Sequence, residues 1–197
     1  MKEQQKKYEL TDEFIEHWSG KKLYRIRALV TFGSVVVGQL GGFVESEKNL
    51  DQSLLGNAWV FDDAQVYGNA QVYGNAQVSG NAQVSGDARV SGDARVSGDA
   101  RVSGDARVYG DASVRSYAII SDKKMIFLAS NVGSENGTLT VFNGKGGLIV
   151  TRGCFTGTVD EFLSKSAKVH DDKTRNEYKL LIEVAKSRIL GVKNERN

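Results

Sequence analysis

The chain contains no proline, one cysteine and two histidines among its 197 residues. Without proline, turns must be built by Gly, Asn and Asp. Glycine is correspondingly abundant, at 22 residues. The single Cys154 excludes a disulfide framework and fits a reducing, cytoplasmic setting. No apolar run approaches the ~20 residues of a membrane span, and the opening MKEQQKKYEL lacks a signal-peptide apolar stretch, so no membrane partner is expected. A net charge of +2 is too small to argue for nucleic acid or an anionic surface. The remaining composition, 40% hydrophobic and 25% charged, is that of an ordinary globular chain.

What the sequence does have is a strict six-residue beat. Valine falls at 60, 66, 72, 78, 84, 90, 96, 102, 108 and 114, with alanine two places earlier each time, from Ala58 to Ala112. Glycine follows each valine from Val66 to Val108 by two places, and Asn or Asp follows each of those glycines, giving the unit Val-x-Gly-[Asn/Asp]-Ala-x. Ala and Val two apart is the alternation of a strand with one buried face. Gly-Asn or Gly-Asp every sixth residue marks a corner, because those residues tolerate positive φ. A strand, a corner and another strand describe a parallel β-helix. The period excludes a heptad coiled coil, and a glycine every sixth residue excludes a helix.

The unit resembles the hexapeptide repeat of left-handed β-helix proteins, best known among acyltransferases, over residues 57–118 with a looser lead-in from about 28. Here glycine stands two places after the valine rather than one. That variant is similar to the non-enzymatic repeat proteins of bacterial prophages, as are the flanking VVVGQLGGFVESEKNLDQSLLGNAWV and GCFTGTVDEF. The resemblance implies left-handedness, three units per turn and a bacterial host cytoplasm. Ten units would then make a rod of about three turns. Such a rod leaves strand edges unpaired at both ends, so the flanks are expected to cap it.

The flanks read differently. KKYELT and KKLYRIRALV alternate and predict a hairpin, although TDEFIEHW could also form a helical turn; the segment that follows reads as an irregular opening coil. After Ala118 the beat stops. Segments 124–130, 138–142 and 147–152 are strand-like, separated by Asn136-Gly137 and Asn143-Gly144. Thr158 and Glu161 form a capping box before one helix, and a second helix is predicted over 172–190 with Tyr178, Leu181, Ile182, Ala185 and Ile189 on one stripe. The expected fold is therefore mostly β. An N-terminal hairpin and opening coil cover 1–56, a left-handed parallel β-helix 57–118, and a C-terminal α+β module of β-hairpins then two helices 119–197.

Catalytic chemistry finds few residues to work with. Hexapeptide acyltransferases use a histidine as general base, but His17 and His170 both lie outside the repeat and read as surface residues. Two distant histidines do not make a zinc cluster, and NGKGG at 143–147 lacks phosphate-loop spacing. Cys154 reads as a small buried thiol. No cofactor, metal or catalytic residue is expected.

The surface is more informative. The residue before each valine changes from Gln65, Gln71, Gln77 and Gln83 to Arg89, Arg95, Arg101 and Arg107. Over nearly the same boundary Asn69, Asn75 and Asn81 give way to Asp87, Asp93, Asp99, Asp105 and Asp111. The paired change suggests charge compensation. It leaves two readings open: a balanced, soluble outer face, or an arginine ladder addressing an anion or an acidic partner. At eighteen residues per turn, Arg107 stacks over Arg89. Tyr67, Tyr73 and Tyr109 follow their valines and would pack at the corners or on a partner. The interleaved aspartates disfavour a nucleic-acid backbone. The expectation is a non-catalytic binding or scaffold protein that self-associates as a dimer or trimer. The prophage resemblance implies a bacterial host protein or a small nucleotide signal as partner, and inhibition of host defence as the role. The alternative is an acyl-CoA-dependent acyltransferase.

Overall fold

The computed structural model describes residues 5–191. It opens with β1 (Tyr8–Glu16) and β2 (Lys22–Ala28), an antiparallel hairpin. The TDEFIEHW segment is therefore extended, not helical: Phe14 lies across from Tyr24, and their rings meet at 6.0 Å. β3 (Leu40–Val44) pairs with β2 on one side and begins the solenoid on the other.

Eleven two-residue strands follow. They are β4 (Trp59–Val60), β5 (Gln65–Val66), β6 (Gln71–Val72), β7 (Gln77–Val78), β8 (Gln83–Val84) and β9 (Arg89–Val90). The run continues through β10 (Arg95–Val96), β11 (Arg101–Val102), β12 (Arg107–Val108), β13 (Ser113–Val114) and β14 (Ile119–Ile120). Each strand from β4 to β11 pairs in parallel with the strand eighteen residues on, as Gln65 with Gln83 and Arg89 with Arg107. Three faces result. The first stacks β3, β5, β8, β11 and β14 and is prolonged by the hairpin; the second stacks β4, β7, β10 and β13; the third stacks β6, β9 and β12. This is a parallel β-solenoid of about 4 turns, one more than ten units alone would build. β3 and Leu50, which bridges to Val72, supply opening rungs, and Ile120 stands in for the last valine.

Valine and alanine fill the bore, every one of them from Ala58 to Val114 essentially without solvent exposure. Each buried valine contributes about 1.5–3 kcal/mol. The corners need positive φ, and they also need no side chain. Gly86 has φ +66°, and a Cβ there would sit 2.9 Å from the backbone nitrogen of Gly104 in the next turn. Asp62 and Ser116 occupy the glycine place at the two ends of the repeat and still adopt φ 54° and 59°. The Asn-to-Asp change also acquires a structural reason. Asn69 donates to Asp87 (2.9 Å), Asn75 to Asp93 (3.0 Å) and Asn81 to Asp99 (3.1 Å), so the amide of one turn satisfies the carboxylate of the next.

Both ends are closed by side chains. At the start, unpaired carbonyls accept from the buried Lys7 Nζ (Ala58 O, 3.2 Å; Gly56 O, 3.4 Å) and from Asn49 Nδ2 (Ala70 O, 2.9 Å; Gly68 O, 3.1 Å). Burial pushes the Lys7 ammonium below its ordinary pKa, against the pull of Asp51. At the finish, Thr140 Oγ1 accepts from Ser113 N (3.3 Å), Thr151 Oγ1 donates to Ser113 O (2.6 Å) and Asn143 Nδ2 donates to Ile119 O (3.1 Å).

The side chains of that second closure belong to an antiparallel sheet of β15 (Ile126–Val132), β16 (Gly137–Gly144), β17 (Gly147–Arg152) and β18 (Phe155–Thr158). The last strand lacked a turn signal strong enough to be read from sequence. Ile126 and Phe142 plug the bore, while the other sheet face packs on α1 (Val159–Val169) and α2 (Asp172–Leu190). The capping box forms as its sequence implies, with Thr158 Oγ1 accepting from Glu161 N at 3.2 Å and Glu161 Oε2 accepting from Thr158 N at 2.8 Å. Tyr178, Ile182, Ala185 and Ile189 are buried along α2, with Leu181 partly so. Among the described residues, no helix is long and apolar enough to cross a membrane.

The corner geometry yields a direct expectation. Gly86→Ala is expected to destabilise the fold by about 1–3 kcal/mol in urea denaturation, because it forces a Cβ into a left-handed corner. Ser116→Gly, which relaxes the same kind of corner, is expected not to lower the unfolding midpoint. Equal midpoints for wild type and Gly86→Ala would refute the account.

Candidate functional site

Outward-facing side chains run in columns along each face, one residue per turn. On the third face the residue before valine gives the column Gln71, Arg89, Arg107, and the residue after it gives Tyr73, Ser91, Tyr109. Arg95 lies on the second face between Gln77 and Ser113, and Arg101 on the first between Gln83 and Ile119. The run of four arginines is therefore dispersed over three faces, and only Arg89 and Arg107 stack. The tyrosines divide likewise. Tyr67 sits on the first face, where the hairpin lays the His17 ring 4.4 Å from it and leaves it half-buried. Tyr73 and Tyr109 are 39% and 56% exposed on the third face.

The C-terminal module completes a cleft there. Its end wall brings Lys123, Ile126 and Arg188 beside Tyr73, Arg89, Ser91, Arg107 and Tyr109, around a volume of about 470 Å³. Four cations line it and no carboxylate does. Strand spacing sets the Arg89 and Arg107 backbones ~4.8 Å apart, and guanidinium charges at that separation would repel by about 1 kcal/mol in water. An anion between them relieves that repulsion. Of the acidic groups around it, Asp87 accepts from Asn69, Asp105 pairs with Lys123 at 3.0 Å and Glu47 pairs with Lys6 at 2.7 Å, while Asp51 shares an adjoining cleft with Tyr73 and Arg89. The hydrogen bond from Lys123 holds the Asp105 carboxyl below the ordinary carboxylate range. Among the described residues, no ion pair engages Arg89, Arg107 or Arg188.

Other clefts have different chemistry. One of about 410 Å³ holds Arg95, Arg115 and Arg152 together with Asp93 and Asp111, a mixed-charge surface. Another, of about 240 Å³, brings Cys154 and His170 to one place although sixteen positions of sequence separate them. There the His170 Nδ1 bonds Ser166 Oγ at 3.1 Å and its ring packs on Tyr178.

Two sequence expectations are corrected. Cys154 is exposed, not buried, because it sits in the tight turn between β17 and β18, where Gly153 takes φ +56° and turns the chain out of the core. His17 is buried, not on the surface: it bonds Ser19 Oγ at 2.7 Å and is enclosed between Trp18 and Tyr67. Lys123 and Arg188 were missed as site residues. Nothing in their local sequence marks them, since only the docking of the module carries them to the third face. Ser91 could have been found from the eighteen-residue period, which sets it between Tyr73 and Tyr109.

Comparison with known proteins bears on the repeat alone. Residues 64–80, 70–86, 82–98, 88–104 and 100–117 match the YdcK beta solenoid repeat. Over that stretch the chain is similar to this β-solenoid family. The match stops short of the hairpin and the C-terminal module, so it speaks to the rod and not to the cleft's end wall. No curated protein matches the chain.

The corrected position of Cys154 is testable. In the native protein, a thiol-specific disulfide reagent is expected to label one cysteine without denaturant. Labelling that appears only after unfolding would return the thiol to the interior.

Proposed function

We propose that the protein is a non-catalytic binding or scaffold protein whose recognition surface is the cleft on the third face, and that it takes an anionic partner there. The observation that carries this reading is the arginine stack of Arg89 over Arg107, walled by Lys123 and Arg188 and lined by no carboxylate. The rod supplies stiffness: β9 is paired to β6 on one side and to β12 on the other, so the columns of the third face keep their spacing without a ligand. Preorganised charge loses little on binding. The resemblance to prophage repeat proteins supports a finer form, in which the anionic partner is a bacterial host protein or a small nucleotide signal and binding inhibits host defence. Self-association as a dimer or trimer belongs to the same proposal. It is supported by apolar residues left exposed near the opening of the rod, among them Val36, Val37, Leu40 and Leu55.

Native mass spectrometry of the purified protein tests both parts. A dimer or trimer is expected, carrying an anionic species that disappears in an Arg89→Gln/Arg107→Gln variant and persists in Arg95→Gln/Arg101→Gln. A monomer would remove self-association. A bound species indifferent to Arg89 and Arg107 would remove the cleft.

The non-catalytic part has its own test. Thiol release from acetyl-CoA across a panel of amine and alcohol acceptors is expected to stay at background. Turnover lost on His170→Ala would replace the binding reading with acyl transfer.

A further inference from the structure

The position after each valine carries Phe61, Tyr67, Tyr73, then five serines, then Tyr109 and Arg115. Wound at eighteen residues per turn, this run gives a different column on each face. The first face receives Tyr67, Ser85 and Ser103, and the second Phe61, Ser79, Ser97 and Arg115. Only the third receives two aromatics with a small hydroxyl between them: Tyr73, Ser91, Tyr109. Their backbones lie two strand spacings apart, about 9.6 Å. A flat ring seated over Ser91 would lie about 5 Å from each tyrosine, inside the ~4.5–7 Å range over which aromatic pairs attract. The serine leaves the space open and offers a hydroxyl to the ring edge.

The neighbouring column on that same face is Arg89 and Arg107, and the same cleft is closed by Lys123 and Arg188. Ring slot and cation cluster are thus side by side in about 470 Å³, within the ~300–1,000 Å³ of small-molecule sites. The geometry points to a nucleotide as the occupant: a planar base between Tyr73 and Tyr109 over Ser91, with its phosphate on Arg89 and Arg107. This rests on the reading of the third-face cleft as the recognition surface and narrows it to one ligand class. An acidic protein surface would use the arginines but would leave the Tyr-Ser-Tyr slot without a purpose. A bare phosphate would do the same.

Isothermal titration of the full chain separates these cases. The probes are AMP, GMP, CMP and UMP, with adenosine, guanosine, cytidine and uridine as rings lacking phosphate, and ribose 5-phosphate and pyrophosphate as anions lacking a ring. At least one of the four nucleotides is expected to bind at least tenfold more tightly than its nucleoside and than ribose 5-phosphate. Tyr109→Ala and Tyr73→Ala are each expected to weaken that binding about tenfold. Arg107→Gln is expected to weaken it about as much, while Arg95→Gln and Arg101→Gln leave it unchanged. All five side chains are exposed, so unaltered far-ultraviolet spectra should accompany each variant. Ribose 5-phosphate or pyrophosphate binding as well as every nucleotide would overturn the ring slot and leave the anionic cleft standing. The same holds if no nucleotide binds while the species seen by mass spectrometry still depends on Arg89 and Arg107. Failure of both experiments would remove the slot and the cleft together.

Discussion

The structure depends on the close stacking of backbone on backbone at the corners of the rod. Successive glycines lie so near one another that a methyl group on Gly92 would come within 2.9 Å of Gly110 N. That approach lets the short strands hydrogen-bond in register and brings the opposed valines together in the bore. A rod of two-residue strands has little else to hold it. Each strand alone is far below the length that is stable in isolation, and the ladder through all the turns makes them cooperative.

Periodicity solves the middle of such a rod and creates a problem at its ends, where the ladder has no next turn. The two flanks answer with different chemistry because the two ends expose different groups. At the opening, Lys7 and the Asn49 amide donate to stranded carbonyls. At the close, the threonine hydroxyls of β16 and β17 accept and donate in turn around Ser113. Burying a lysine there costs desolvation, which its lowered pKa records, but it blocks the edge against pairing with another chain. The closing module has a second consequence. Standing against the end of the third face, it turns an open column of arginines into a walled cleft.

The cleft shows how a rigid period converts sequence into surface. Side chains eighteen positions apart become neighbours at one strand spacing, so a six-residue repeat distributes every third unit to the same face. Four arginines in a row in sequence become one stacked pair and two isolated residues. Tyr73 and Tyr109, far apart in the chain, become two sides of a slot, while Tyr67 is withdrawn beneath His17.

The repeat made the rod legible because each unit states the same local rule: valine and alanine inward, glycine at the corner, a polar residue outward. The capping box at Thr158 and the apolar stripe of α2 were legible for the same reason, being local patterns with a fixed period. The exposure of Cys154 and the burial of His17 were not, since both depend on which segments pack over them. By itself, the sequence determined a parallel β-solenoid, because that follows from a period and a residue's geometry, and the stacking of Arg107 on Arg89 followed once the resemblance to hexapeptide-repeat proteins implied three units per turn. Only the tertiary structure decided that Lys123 and Arg188 stand beside that pair. Their position comes from the docking of a separate module on the last turn, a contact between segments whose sequences carry no mark of one another.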